Sequence, residues 1–292
     1  MTWRDRVRAV PAPWLVTGGI VSVQLGAAIA KHLFELVPPT AMVWLRLLTS
    51  AVIFLVVVRP DPRGHSRRDW LVVLGFGVAL TTMNWSIYQA FARIPLGVAV
   101  TLEFLGPLVL AVVASRRARD LVWVALAGGG VLLLGFTPQG LTVAGVALAL
   151  LAGLAWAGYI LLSAQTGRRW PGISGLAVAS LLGAVVLAPP AVLDAGSRLL
   201  DPTVLLLGAA VGVLSSVIPY SLELVALRRI RAGTFAILMS LEPAAAALAA
   251  LVVLGELLRP TQWLAVACVV AASIGASRSS RQHPPTSEPL PG

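Results

Sequence analysis

The sequence predicts an all-α membrane protein of ten transmembrane helices, arranged as two inverted five-helix repeats with both termini in the cytoplasm. Three observations lead there. The 292-residue chain is 58% hydrophobic and only 12% charged, more apolar surface than a soluble domain of this length can bury. Its basic residues recur in alternate loops. Its second half repeats the pattern of its first.

The apolar residues gather into ten stretches of roughly 16 to 24 residues, near the ~20 needed for a helix to cross the hydrocarbon core. The expected spans are 13–33, 40–58, 70–91, 95–115, 121–136, 142–164, 173–190, 203–226, 233–254 and 260–277. Membrane-barrel strands are shorter and alternate apolar with polar, which these runs do not. The first span follows basic residues and contains Ala28-Ile29-Ala30, as a cleaved signal peptide would. Its length, and its place in the repeat, argue that it is retained.

The arginines set the orientation. With the N-terminus inside, the inner segments carry seventeen basic residues, among them Arg4, Arg6, Arg8, Arg116, Arg117, Arg119, Arg228, Arg229 and Arg231. The outer positions carry four: Lys31, Arg93, Arg198 and Arg259. This bias is the positive-inside pattern, and it requires an even number of spans. The net charge of +10 is therefore spread over loops. It does not form the one-sided basic patch that nucleic acid requires, and the lipid bilayer is the expected environment.

One constant displacement aligns Ala90 with Ala226, Arg93 with Arg229, Ile94 with Ile230, Gly97 with Gly233 and Pro107 with Pro243. After a short insertion, Trp123 aligns with Trp263 and Gly135 with Gly275. Spans one to five thus correspond to spans six to ten. Five is odd, so the second copy enters the membrane from the opposite face. The expected organisation is a cytoplasmic segment 1–12, a first repeat 13–136, a second repeat 142–277 and a disordered cytoplasmic tail 278–292. Inverted repeats of this kind place a substrate site near the midplane between the halves.

Polar residues at depth are the candidate site. Glu103, in IPLGVAVTLEFLGP, and Glu242, in IRAGTFAILMSLEP, sit inside apolar runs, where a charge is costly and usually faces a cavity, a partner or a proton path. In the alignment they lie one helical turn apart, each followed by a proline, Pro107 or Pro243. The third span adds Asn84 and Tyr88, which share a face; the eighth adds Ser215, Ser216, Tyr220 and Glu223. Trp156 and Tyr159 lie in the sixth, Gln24 and Lys31 in the first, and Arg46 in the second. Helix packing, an interfacial role or a local salt bridge is the competing account of each one singly; the set is more informative, since corresponding spans of both copies are polar. Glu256 reads as an anchor or loop cap. Small residues at four-residue spacing, Gly208 with Gly212 and Ala149 with Gly153 and Ala157, suit close packing within the bundle, and a homodimer is compatible with the pattern.

Aspartates fall outside the expected spans, the histidines lie at ends and loops, and Cys268 is the lone cysteine. No metal-binding, nucleophilic or phosphate-cradling motif is present, so no cofactor or metal is expected, and an enzyme is not.

The segments IPLGVAVTLEFLGPLVLAVVASRR, LAWAGYILLSAQTG, IPYSLELVAL and LMSLEPAAAALAALVVLGE resemble the drug/metabolite transporter superfamily, EamA type. With VSVQLGAAIAKHLF and MNWSIYQA, they are most similar to its threonine/homoserine exporter group. The resemblance implies ten helices in a bacterial inner membrane, export of small amino acids by proton antiport, and a cavity among spans one, three, four, six, eight and nine. Arg93 and Arg228-Arg229 depart from the neutral residues often seen there. Glu103 or Glu242 would meet the substrate ammonium, and Asn84, Tyr88 and Tyr220 its carboxylate, with Lys31 or Arg46 nearby. A carboxyl shielded from water can also exchange the coupling proton. The alternative is an exporter of another small-molecule class, such as nucleobases or amphipathic drugs.

Overall fold

The computed structural model describes residues 10–115, 120–135, 140–227, 229–230 and 232–280. The N-terminal arginines, Arg116, Arg117, Arg119, Arg228, Arg231 and the expected tail from residue 281 lie outside these. Thirteen helical segments run in order: α1 Ala12–His32, α2 Pro39–Val58, α3 Arg67–Phe91, α4 Leu96–Glu103, α5 Leu105–Ser115, α6 Leu121–Gly135, α7 Val143–Arg169, α8 Ser174–Ala195, α9 Pro202–Gly212, α10 Ile218–Leu227, α11 Ala232–Met239, α12 Glu242–Leu254 and α13 Pro260–Ser280. There is no strand among the described residues.

Nine spans among the described residues are long and apolar enough to cross a membrane. The expected fifth is not one of them: α6 has 15 residues, fewer than the ~20 a crossing needs, and residues 136–139 lie outside the description. Large apolar side chains such as Val57, Leu132, Leu193 and Val252 are 71–85% exposed on the outer face of the bundle. An exterior with so many exposed large apolar side chains suits lipid.

Local chemistry sets the helix ends. Ser66 and Asp69 cap α3 reciprocally, Ser66 Oγ accepting from Asp69 N (3.2 Å) and Ser66 N donating to Asp69 Oδ2 (2.9 Å). Thr142 caps α7 by accepting from Gly145 N, and Asp201 caps α9 by accepting from Thr203 N. Each cap satisfies an N–H that the first turn cannot bond internally. Helices α3 and α8 extend further than the apolar runs suggest, so Asp69 and Asp194 are helical residues. Asp69 also pairs with Arg169 at the end of α7 (2.7 Å), and His65 stacks on the neighbouring Trp170 at 3.7 Å.

Two spans are interrupted at depth, where the sequence suggests continuous helices. The α4–α5 span breaks at Phe104, and the α11–α12 span at Ser240–Leu241. Pro107 lacks the N–H that would bond the Glu103 carbonyl, and Pro243 leaves the Met239 carbonyl in the same position. Each break therefore sits one turn before a proline. A third span, α9–α10, carries a π turn at Val213–Val217.

The packing is paired. Span three packs on span six and span one on span eight; span one packs on span nine and span four on span six. Spans two and seven, five and ten, and four and nine pack on each other. Exchanging each span with the one five positions later leaves this set unchanged. The spaced glycines face inward: a Cβ on Gly208 would strike Leu45 and one on Gly212 would strike Thr49. A Cβ on Gly106 would strike the Gly153 backbone, and one on Gly153 would lie 2.5 Å from the Glu103 carbonyl oxygen. Spans four and six therefore touch backbone to backbone beside Glu103.

Candidate functional site

A cavity of about 960 Å³ opens inside the bundle. Eleven of the thirteen residues singled out in the sequence line it: Gln24, Arg46, Asn84, Tyr88, Glu103, Trp156, Tyr159, Ser215, Tyr220, Glu223 and Glu242; Ser216 does not. They come from both halves of the chain. Lys31 does not line it. Its Nζ instead pairs with Glu256 Oε1 at 2.6 Å and donates to the Ile94 carbonyl at 2.9 Å.

Arg46 organises one wall, and the backbone explains how. In the π turn, Ile218 N bonds back to the Val213 carbonyl, so the Leu214 carbonyl loses its usual donor. Pro219 has no N–H for the Ser215 carbonyl. Neither orphan is left bare. Ser22 Oγ of α1 donates to Leu214 O at 2.7 Å, and Arg46 Nη2 donates to Ser215 O at 2.9 Å. Arg46 Nε donates to Ser216 Oγ at 3.0 Å and Nη1 to the Tyr88 hydroxyl at 3.3 Å. Its guanidinium carbon also stands 5.5 Å from the centre of the Tyr88 ring. Gly26 permits the close approach of α1, since a Cβ there would strike Ser215.

These contacts use three of the five guanidinium N–H groups, leaving two on the terminal nitrogens. Arg46 is only 7% exposed. Among the described residues the ion pairs are Lys31–Glu256 and Arg169–Asp69, so Arg46 has no carboxylate within 4 Å. A buried cation without a counterion is expensive, and this one borders a cavity.

The acids form the other part of the site. Glu103 ends α4 at the first break, and Glu242 begins α12 at the second. Glu242 is buried at a helix N-terminus, where the backbone dipole favours a carboxylate. Glu223 lies on α10, its side chain against Gly19 of α1. Glu242 is within electrostatic reach of both Glu103 and Glu223, and Arg46 is within reach of Glu103, Tyr159 and Tyr220. Tyr159 and Tyr220 also lie within electrostatic reach of each other, which brings span six beside span eight at the cavity. Trp156 packs edge-on against Phe104 at 5.2 Å. Asn84 directs its amide at the Leu80 carbonyl of its own helix, 2.8 Å away.

Ser22 and Pro219 were absent from the sequence reading of the site. For Pro219 a signal existed: a proline inside a helical run frees the carbonyl four residues before it, which is Ser215. For Ser22 there was none, because its partner lies 192 residues away.

A family model described as the EamA-like transporter family matches the chain twice, over residues 12–137 and 143–278. The threonine/homoserine exporter RhtA of Escherichia coli (strain K12) is 41% identical over 267 residues, which is 90% of each chain. The protein of the same name from Salmonella typhimurium (strain SL1344) is 41% identical over 266 residues, again 90% of each. An uncharacterized transporter, YwfM of Bacillus subtilis (strain 168), is 29% identical over 175 residues, 59% of each chain. A solved structure that is 20% identical superposes with a TM-score of 0.59 over 89% of this chain and 94% of the other; it speaks for the fold alone.

Proposed function

The chain belongs to the EamA-like transporter family, and from that premise we propose that it is a secondary exporter of small amino acids of the threonine and homoserine kind, driven by proton antiport. The observation that carries the reading is Arg46. A buried guanidinium with two unused N–H groups, beside a cavity holding three carboxyls, suits a zwitterion. The two N–H groups take the substrate carboxylate as a fork. Glu103, Glu223 or Glu242 accepts the ammonium, and another of them carries the coupling proton. The name and 41% identity of the relatives support the amino-acid class.

Alternating access follows from two inverted five-helix halves rocking about the site. The exchange symmetry of the packing and the double family match support that plan. So do the two spans broken beside Glu103 and Glu242, since discontinuous helices at mid-depth are a common device for binding substrate and ions in transporters. The arginine distribution supports cytoplasmic termini in a bacterial inner membrane. Protons arriving from outside compete with the ammonium for its carboxylate and release the substrate outward.

One observation favours the alternative, export of a larger cargo such as a nucleobase or an amphipathic drug. A volume of about 960 Å³ lies at the upper end of pockets for drug-sized ligands. Displacement of labelled threonine from the purified protein separates the two. Threonine and homoserine are expected to displace it, and threonine methyl ester, which lacks the carboxylate charge, to fail. Displacement by amphipathic cations in preference to homoserine would overturn the amino-acid reading.

A further inference from the structure

The cavity reaches one end of the bundle and stops short of the other. Ala114, Phe235 and Ser277 line it, and each lies in the part of its helix toward the end where α5 and α13 terminate. No residue of the connections 33–38, 92–95 or 255–259 at the other end lines it. Toward that end it stops at Tyr88 and Phe91, whose rings are 5.5 Å apart, with Phe34 behind Tyr88 at 6.0 Å.

Lys31 and Glu256 belong to this closed end. Lys31 closes the last turn of α1, while Ile94 and Leu96 join α3 to α4; all three belong to the first family match. Glu256 follows α12, in the second match. Its carboxylate bridges the two. Oε1 pairs with Lys31 Nζ at 2.6 Å, and Oε2 accepts from Leu96 N at 2.9 Å, while Lys31 also donates to Ile94 O. Leu96 N is a first-turn N–H with no partner inside its own helix, so the acid of one half caps a helix of the other. The two side chains are 18% and 22% exposed, and a pair so sheltered is less screened than one on an open surface.

We propose that the Lys31–Glu256 pair is a latch that holds this end of the transporter closed while the other end is open. Opening the closed end requires the halves to part there. That separates the two charges and strips the cap from α4 in the same movement. Helix α4 ends at Glu103, so release of the latch is transmitted along a single short helix to the cavity. The device is independent of what the cavity carries.

The test is a distance measurement that needs no substrate. Spin labels at Arg93→Cys in the first half and Leu257→Cys in the second, both exposed positions, are placed on the full chain with Cys268→Ala, in lipid nanodiscs. The otherwise unaltered protein is expected to give one dominant separation. Glu256→Gln and Lys31→Gln are each expected to add a population longer by ~5 Å, the scale of a one-turn element shift, at roughly threefold or more its abundance with the latch intact. Lys31→Arg keeps the pair and is expected to keep the single separation; this also shows that position 31 tolerates exchange. An unchanged distribution in both Gln variants, or a shift in Lys31→Arg as large as in Lys31→Gln, overturns the latch.

Discussion

Replacing Arg46 by lysine preserves the charge and removes the geometry. The guanidinium has five N–H groups, of which three hold Ser216 Oγ, the Tyr88 hydroxyl and Ser215 O, leaving two for a carboxylate. A lysine ammonium has three in all, so it cannot keep those contacts and also present a fork. The loss is at least one charge-assisted hydrogen bond to the substrate, about 1.5–3 kcal/mol, or roughly 10- to 150-fold in affinity. Arg46→Gln removes the charge and, with two N–H groups on a shorter side chain in place of five, cannot serve all three of these partners; the fold then loses a further ~1–3 kcal/mol. Binding of labelled threonine to purified protein measures the first effect, and thermal unfolding the second. Threonine methyl ester supplies the internal control, because it lacks the group that Arg46 reads. Its weak binding is expected to be the same in the parent, Lys and Gln proteins, so the discrimination between acid and ester collapses with the substitution. Threonine affinity within threefold of the parent in both variants, with discrimination intact, would refute the role of Arg46.

Glu103→Gln and Glu242→Gln keep size and hydrogen bonding but cannot ionise. The variant that removes the proton carrier is expected to abolish pH-driven efflux while substrate exchange survives, and the one that removes the ammonium partner to weaken binding by the ~1.5–3 kcal/mol of a charged hydrogen bond; parental transport by both, singly and together, would make the acids structural. Gly153→Ala introduces a Cβ 2.5 Å from the Glu103 carbonyl oxygen. Spans four and six must then part, at an overpacking cost of ~1–3 kcal/mol, read as a thermal midpoint lower by a few degrees; an unchanged midpoint would show that the contact relaxes freely. A reporter fused after Arg281 is expected to be active only in the cytoplasm, and a periplasmic signal there would break the inverted-repeat plan.

Nine of the ten expected spans and the polar set were legible because both follow from local composition. An apolar run of membrane length announces itself, and Glu103 or Arg46 stands out within one. What the residues do to each other was less legible, because the contacts join distant spans. Arg46 meets Ser216 across 170 positions, and nothing near Arg46 points to that partner. Lys31 looked like a second cation for the substrate because it ends the span that carries Gln24. The structure gives it to Glu256, whose own sequence context showed only a cap or an anchor. The helix breaks were half visible. Pro107 and Pro243 marked where a backbone carbonyl is freed, yet apolar composition continues through both positions and reads as unbroken helix. The π turn left a fainter trace, Pro219 alone.

Efflux of labelled threonine and homoserine from proteoliposomes tests the proposed export directly. With the interior loaded and the exterior made acidic, both amino acids are expected to leave several-fold faster than without the gradient, and a protonophore is expected to remove the acceleration. Efflux that ignores the gradient would contradict proton antiport, and efflux no faster than from protein-free vesicles would contradict the amino-acid assignment itself.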